Sequence, residues 1–373
     1  MTRQLTLLGG QILPVYLGIL EKKPDEVHVL YTKETRQLLP RLTHEFPKLK
    51  IHSHQVEPYD FIGIKELVTK IIFDNENDEF QLNLTSGTKV MALACQSVVS
   101  EMNYEVFYID QNHRLFCLTD ESFSALNHSI KINTFFALSG HRNYVSSALS
   151  HYSKAEIDFA YEIFDQSQQK SGLYTLFDLV RTNCDNIQTT NQFAIKDANT
   201  SVNWKINTLQ INLLNKQLQC VSKNAFQIAF GGLWWELVIA NVTSKWPRVK
   251  EQLLGVSIQT NSTKFTKNEI DIILNTGNNL IFIECKSGNV SQSDINKIRA
   301  MNRLYGGVSS KSILVCRYIP RKDLLEKCKD LGIEVFAFQT LNSLNANTQL
   351  TPFNDLKDLL KKLDQLVLRL EVG

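Results

Sequence analysis

The chain lacks any apolar run long enough to cross a bilayer, which takes roughly 20 such residues. It also lacks a signal-peptide pattern, since the apolar stretch 5–8 gives way at once to Gly9, Gly10 and Pro14. A cytoplasmic protein without membrane contact is expected. Cysteine is scarce and scattered: Cys95, Cys117, Cys184, Cys220, Cys285, Cys316 and Cys328 stand singly, with no CxxC pair. That argues against a zinc site and against a disulfide framework, and for buried thiols in a reducing compartment. Histidine is absent beyond His151. Chemistry in that stretch must do without imidazole, which removes His-metal nucleases, Ser–His hydrolases and Cys–His proteases as readings of it. Neither GxxxxGK[ST] nor GxGxxG occurs, so a P-loop ATPase is not expected. The net charge of +2 neither demands nor excludes nucleic acid, because positive charge can be concentrated around one cleft.

What is present is an ordinary folded composition, 43% apolar, in 373 residues. That is too long for one comfortable core, so two or three domains are expected. Residues 1–118 alternate strand and helix patterns: strands at 5–8, 26–31, 50–56 and 79–84, with helices running to 23 and over 33–46, 59–73 and 90–102. A hairpin of 105–109 and 114–118 follows. The alternation predicts a largely parallel sheet covered by helices, an α/β, Rossmann-like domain over 1–139. Residues 140–222 carry amphipathic helix patterns at 154–164 and 173–182. The stretch 185–202 is rich in Asn, Gln and Thr with little periodicity. A small helical linker domain is expected there, with a winged-helix form as the alternative. Residues 223–373 make a third domain. It has a helix at 225–243, strands at 256–260, 269–274 and 280–285, a helix at 293–304, a strand at 312–316, a helix at 322–331, a strand at 334–338 and a terminal amphipathic helix at 356–370.

The third domain carries the sharpest constellation. Asp271 stands near the start of one apolar strand, a Gly277-Asn278-Asn279 turn follows, and Glu284-Cys285-Lys286 closes the next strand. Antiparallel pairing brings Asp271 and Glu284 together, and strand alternation puts Glu284 and Lys286 on one face. Buried charges are costly unless they pair or bind a metal, and two neighbouring carboxylates repel. An oxygen-preferring divalent ion, Mg²⁺ or Mn²⁺, answers both problems, with the Cys285 backbone carbonyl as a third oxygen. Lys286 can then orient or help deprotonate an attacking water, or steady charge on a phosphate. The bland alternative is a salt bridge on a solvated face. Trp234 and Trp235 on the preceding helix are expected to pack its core, with base stacking as the alternative. His52 and His54 share a strand face but lack a third metal ligand nearby in sequence.

Two loops of the first domain follow strands and lead into helices: Gly9-Gly10-Gln11, and Thr85-Ser86-Gly87-Thr88-Lys89. In open α/β sheets ligands bind at that edge. Small residues let a ligand approach backbone N–H groups at a helix start, which favours anions. The hydroxyls of Thr85, Ser86 and Thr88 and the Lys89 ammonium add donors. The alternative is that Ser and Thr merely cap the helix.

Asp271 and Glu284-Cys285-Lys286 resemble the core of the PD-(D/E)xK nucleases. Glu269-Ile270-Asp271 stands where that family often carries a proline before its first acid. In such nucleases an acidic residue on the preceding helix often joins the metal site or its water shell, and Glu236 occupies that place. With the GGQ and TSGTK loops and the middle segment, the whole chain resembles the CARF-nuclease effectors of type III CRISPR systems. The resemblance implies an antiviral, metal-dependent endonuclease acting on DNA, RNA or both, and a homodimeric sensor activated by a cyclic oligoadenylate such as cyclic tetra-adenylate. It assigns Gly9, Gly10, Gln11, Thr85, Ser86, Gly87, Thr88 and Lys89, with Thr32 as an addition, to ribose and phosphate. A ligand-sensing transcriptional regulator that binds DNA through the middle domain is the alternative. A restriction or repair nuclease whose first domain only mediates assembly is another.

Overall fold

The computed structural model describes residues 1–100, 102, 104–258, 269–306, 310–338, 350, 353 and 355–372. The expected end of one strand at 259–260 and parts of the terminal region lie outside them. The N-terminal half, the expected sensor, is built on β1 (Thr2–Leu8), β2 (Glu26–Tyr31), β3 (Lys50–Gln55), β4 (Glu79–Asn83), β5 (Glu105–Ile109), β6 (Arg114–Cys117) and β7 (Ser122–Ala125). Their spatial order is β3-β2-β1-β4-β5-β6-β7, parallel through β5 and antiparallel beyond it. Strand β7 has no counterpart in the sequence reading, because its Ser122-Phe123-Ser124-Ala125 is wholly exposed and carries no buried face to read. Chain order reverses direction between β1 and β4, which makes the loops after these two strands neighbours.

Helices α1 (Leu13–Lys22) and α2 (Leu39–Glu45) cover one face of this sheet, and α3 (Phe61–Phe73) and α4 (Lys89–Val99) cover the other. Helix α2 is shorter than the expected 33–46, because Pro40 sits in its first turn and a separate tight turn, Arg36–Leu38, precedes it. Helix α5 (Ile132–Leu138) leads out of the sensor.

The middle segment corrects the expectation of a helical or winged-helix linker. It starts with β8 (Tyr144–Ser147), which pairs with a nuclease strand, and continues with α6 (Lys154–Ser167) and α7 (Leu173–Asn183). Then come β9 (Gln192–Lys196), β10 (Ser201–Lys205), β11 (Thr208–Asn212) and β12 (Gln217–Val221), an antiparallel meander of four strands. The polar composition hid these strands. Their exposed face carries Asn203, Lys205, Gln217 and Gln219, while Val202, Trp204, Leu209, Ile211, Leu218 and Cys220 are buried in the core and Phe193 and Ile195 pack against it.

The C-terminal half, the expected nuclease, opens with two helices, α8 (Ala225–Phe230) and α9 (Leu233–Thr243), where the periodicity suggests one. The break lies at Gly231-Gly232. Gly232 has φ +90°, a conformation that L side chains rarely adopt, and it re-aims the chain into α9. Strands β13 (Glu251–Ile258), β14 (Glu269–Asn275), β15 (Leu280–Lys286), β16 (Lys311–Cys316) and β17 (Ile333–Ala337) form a mixed sheet in the order β17-β16-β15-β14-β13-β8. Helix α10 (Gln292–Met301) ends in a π-helical turn, Asn302–Gly306. Helices α11 (Lys322–Asp330) and α12 (Asp358–Val372) complete the layer.

One apolar core runs from α6 and β10–β12 through α8 and α9 to one face of the nuclease sheet. A second joins Leu17, Phe107 and Phe136 of the sensor half to Ile273, Phe282, Met301 and Tyr305 of the nuclease half. Each large apolar side chain buried there contributes about 1.5–3 kcal/mol. The two halves are therefore packed onto each other and not merely tethered.

Candidate active site and ligand cleft

Strands β14 and β15 form the expected hairpin, turned by Gly277 at φ +121°. Their ladder runs from Asn275↔Leu280 to Ile272↔Ile283 and then opens. Beyond it, Asp271 Oδ2 accepts the Cys285 N–H at 2.7 Å. The side chain of Asp271 thus replaces a backbone partner at the place where the strands splay. The Cys285 backbone carbonyl lies at the same break in the ladder.

Glu284 is only 2% exposed, and its Oε1 accepts from two ammonium groups, Lys286 Nζ at 2.9 Å and Lys297 Nζ at 2.8 Å. Lys286 also reaches Asp294 Oδ1 at 3.0 Å. Asp294 closes the first turn of α10 as well: its Oδ2 accepts from the Ser291 N–H and hydroxyl. Sequence reasoning missed Asp294 and Lys297. The signal was present as a Ser291…Asp294 capping box with a lysine three residues on, but only the packing of α10 against β15 brings Lys297 to Glu284.

The electrostatics show too many carboxylates for the cations present. Burial pushes Asp271 up to about 7, and Glu284 adds to the rise, while the Cys285 N–H, Lys297 and Lys286 oppose it. Burial also holds Glu236, on the first turn of α9, well above the usual carboxylate range, and Asp271, Glu269 and Glu284 push the same way. The Lys286 ammonium is pulled down by burial, but Glu284 and Asp294 overcome this and hold it above the usual lysine range. Lys286 is therefore a firmly held cation. Of the two roles expected for it, charge stabilisation fits better than proton removal.

A divalent ion fits this donor set. The available atoms are carboxylate and carbonyl oxygens, which suit Mg²⁺ or Mn²⁺. Two carboxylates whose pKa values are raised by burial and mutual repulsion are what a cation would relieve. The nuclease carboxylates do not form a closed cage. Among the described residues, the side chains that draw three ligand atoms within 4.8 Å are Glu26, His28 and His52 in the sensor sheet. There the Arg3 guanidinium contacts Glu26 and stands 3.4 Å from His28 Nε2, which opposes a second cation. His54 is taken up by His28 at 3.1 Å. Trp234 and Trp235 are each 1% exposed, and Trp235 donates to the Val315 carbonyl at 3.1 Å, so both pack the core and neither offers a face to a base.

The two sensor loops meet as the strand order requires. Gly9 N–H donates to Ser86 Oγ at 2.9 Å, and Ser86 Oγ donates to the Gln11 carbonyl at 3.2 Å. A Cβ on Gly9 would lie 2.5 Å from the Gly87 nitrogen, so only glycine permits this approach. Gly10, Gln11, Thr85, Ser86 and Gly87 line a cleft of about 820 Å³. Four expected ligand residues are not on its wall, and one of them is Gly9, whose N–H is turned to Ser86. Thr32 turns to Glu34 in its own loop, at 2.7 Å. Thr88 caps α4 through the Met91 N–H and donates to the Pro58 carbonyl. Lys89 begins α4 behind that cap. The same cleft is also lined by Arg41, Tyr108, Arg299 and Arg303, none of which sequence spacing connects to the loops.

Residues 5–135 match the family model described as the Card1 CARF domain, and residues 222–349 match the one described as the Card1-like endonuclease domain. The chain belongs to the Card1-like CARF nucleases. Solved structures agree in fold with this Card1-like chain. Can2 from Sulfobacillus thermosulfidooxidans, in complex with cyclic tetra-adenylate, is 19% identical over 98% of this chain and 99% of its own, with a TM-score of 0.73. Protein VC1899 from Vibrio cholerae is 15% identical over 99% of this chain and 98% of its own, with a TM-score of 0.75. A type III CRISPR defence DNA nuclease activated by cyclic oligoadenylate is 17% identical over 97% of this chain and 51% of its own, with a TM-score of 0.61. No curated protein matches the chain. Among the described residues of this Card1-like nuclease, no helix is long and apolar enough to cross a membrane.

Proposed function

We propose that the chain is a metal-dependent endonuclease of antiviral CRISPR defence, switched on by a cyclic oligoadenylate. The observation that carries the reading is the Asp271–Cys285 contact at the splayed end of the β14/β15 hairpin, with Glu284, Lys286 and Glu236 beside it. Asp271, Glu284 and the Cys285 carbonyl would hold Mg²⁺ or Mn²⁺, with Glu236 further out. A bound ion would supply a Lewis acid and lower the pKa of water. Lys286, kept protonated, faces the charge that builds on the phosphate.

The sensor over 1–139 would take cyclic tetra-adenylate at the Gly9–Gln11 and Thr85–Gly87 loops, as the bound Can2 neighbour suggests. Residues 140–222 would connect it to the nuclease over 223–373. Tyr59, Ile62 and Phe73 at α3 and Leu93 on α4 leave large apolar groups exposed on the sensor half. Their burial in a homodimer would set two copies of the loops around one two-fold ring. Full switching by the ring requires about 5.5 kcal/mol of preference for the active arrangement. A cytoplasmic location follows from this role.

Cleavage of single-stranded DNA, plasmid and RNA with Mn²⁺, with and without cyclic tetra-adenylate, tests the reading against Glu284→Ala. Cleavage that needs both the ring and Glu284 supports it and identifies the substrate. Ring binding with no cleavage of any substrate would favour the regulator alternative.

A further inference from the structure

The cleft that holds the sensor loops is walled on its far side by the nuclease half. Arg299 lies in the last turn of α10, and Arg303 and Tyr305 lie in the π-helical turn that continues it. Arg299 and Arg303 are exposed, and neither makes an ion pair among the described residues. Arg41 adds a third guanidinium, tied to the Leu138 carbonyl at 3.2 Å. Among the described residues that line the cleft the one carboxylate, Asp110, is committed to Arg114 and to the N–H groups of its own turn. The cleft is therefore cationic and faces the glycine- and hydroxyl-rich loops. Planar guanidinium groups suit phosphate oxygens.

The same helix reaches the candidate active site. Asp294 and Lys297, in its first two turns, hold Lys286 and Glu284. Lys297 and Arg303 are six residues apart, about 9 Å along a helix axis. Asn302, at the start of the π-helical turn, anchors it by donating to Ser312 Oγ at 2.8 Å. Such turns occur frequently at functional sites.

We propose that Arg299 and Arg303 of the nuclease half bind phosphates of the cyclic oligoadenylate, and that this contact passes activation through α10 to Lys297 and Asp294. The inference rests on the proposed ligand. It differs from a sensor that binds the ring alone and acts only by rearranging the dimer. An effector shifts a conformational equilibrium only through contacts that differ between states, and here one helix bears contacts at both ends.

The test is equilibrium binding of cyclic tetra-adenylate to the full-length chain at low and high salt, followed by cleavage at saturating ligand. Wild type is compared with the Arg299→Gln/Arg303→Gln double variant and with Arg303→Lys. The double variant is expected to bind at least about tenfold more weakly, with a shallower salt dependence, and to cleave more slowly even when saturated. Arg303→Lys, which keeps the charge, should recover part of both. Unchanged affinity, or full activation at saturation, would overturn the proposal while leaving the proposed function standing. A wild-type chain that binds no cyclic oligoadenylate sinks both.

Discussion

Lys297 Nζ lies 2.8 Å from Glu284 Oε1, the same oxygen that Lys286 approaches at 2.9 Å. A carboxylate proposed to hold a divalent ion is thus already shared by two ammonium groups, one from its own strand and one from α10. The arrangement keeps a 2% exposed charge compensated without the ion. It also sets a competition that mutation can expose.

Lys297→Met should bind Mn²⁺ more tightly, by about 3- to 10-fold, because a like charge has been removed from beside the ion. Its turnover at saturating Mn²⁺ should fall. Calorimetric titration and cleavage rates check the two halves separately, and weaker Mn²⁺ binding would show that Lys297 positions Glu284 for the metal instead.

Glu284→Gln keeps the shape but halves the acceptor strength at the hairpin end. Cleavage should drop by about a hundredfold or more, with cyclic tetra-adenylate affinity within a few-fold of wild type. A variant that cuts at the wild-type rate would remove Glu284 from the site.

Asp271 titrates at about 7 in the folded chain against an ordinary 3.8, so the folded state binds more protons than the unfolded one between these values. Stability of the metal-free protein should therefore fall as pH rises from about 4 to 7. Asp271→Asn should flatten this slope. Added Mn²⁺ should stabilise more as pH rises, since binding displaces the proton. Melting temperatures over that range, with and without Mn²⁺, give the sign directly.

Gly9→Ala places a Cβ 2.5 Å from the Gly87 nitrogen and 2.7 Å from Ser86 Oγ. The two sensor loops must separate, at a cost of about 1–3 kcal/mol. Ligand affinity should fall by about tenfold or more while Mn²⁺ binding at Asp271 and Glu284 is unchanged. Unaltered ligand binding would detach the loop contact from the ligand site.

Ile62→Asp and Phe73→Asp put charges into the exposed apolar patch on α3. Sedimentation should then report a monomer where wild type is a dimer, with loss of ligand-dependent cleavage. A wild-type chain that sediments as a monomer at every concentration would remove the dimer from the proposal.

The sequence carried the alternation of strands and helices in the sensor, the β14/β15 hairpin and the facing of Asp271, Glu284 and Lys286. All of these follow from periods of two and 3.6 residues and from a turn, which are local properties of the chain. It also carried the GGQ and TSGTK loops, whose convergence follows from strand order. Strands β9–β12 were hidden because polar residues fill their outer face. The α8/α9 break was hidden because glycine is compatible with a continued helix pattern until tertiary packing selects φ +90° at Gly232. Lys297 on Glu284, Trp235 on the Val315 carbonyl, and Arg299 and Arg303 across from Ser86 were beyond reach. These pairs bring together positions separated by 13 to more than 200 residues, and no periodicity encodes which surface a helix will meet. The sequence by itself determined which residues could do chemistry. Packing of α10 against β15 and β16, and of its π-helical turn against α5, decided which of them share a site, because only that burial fixes where the helix lies.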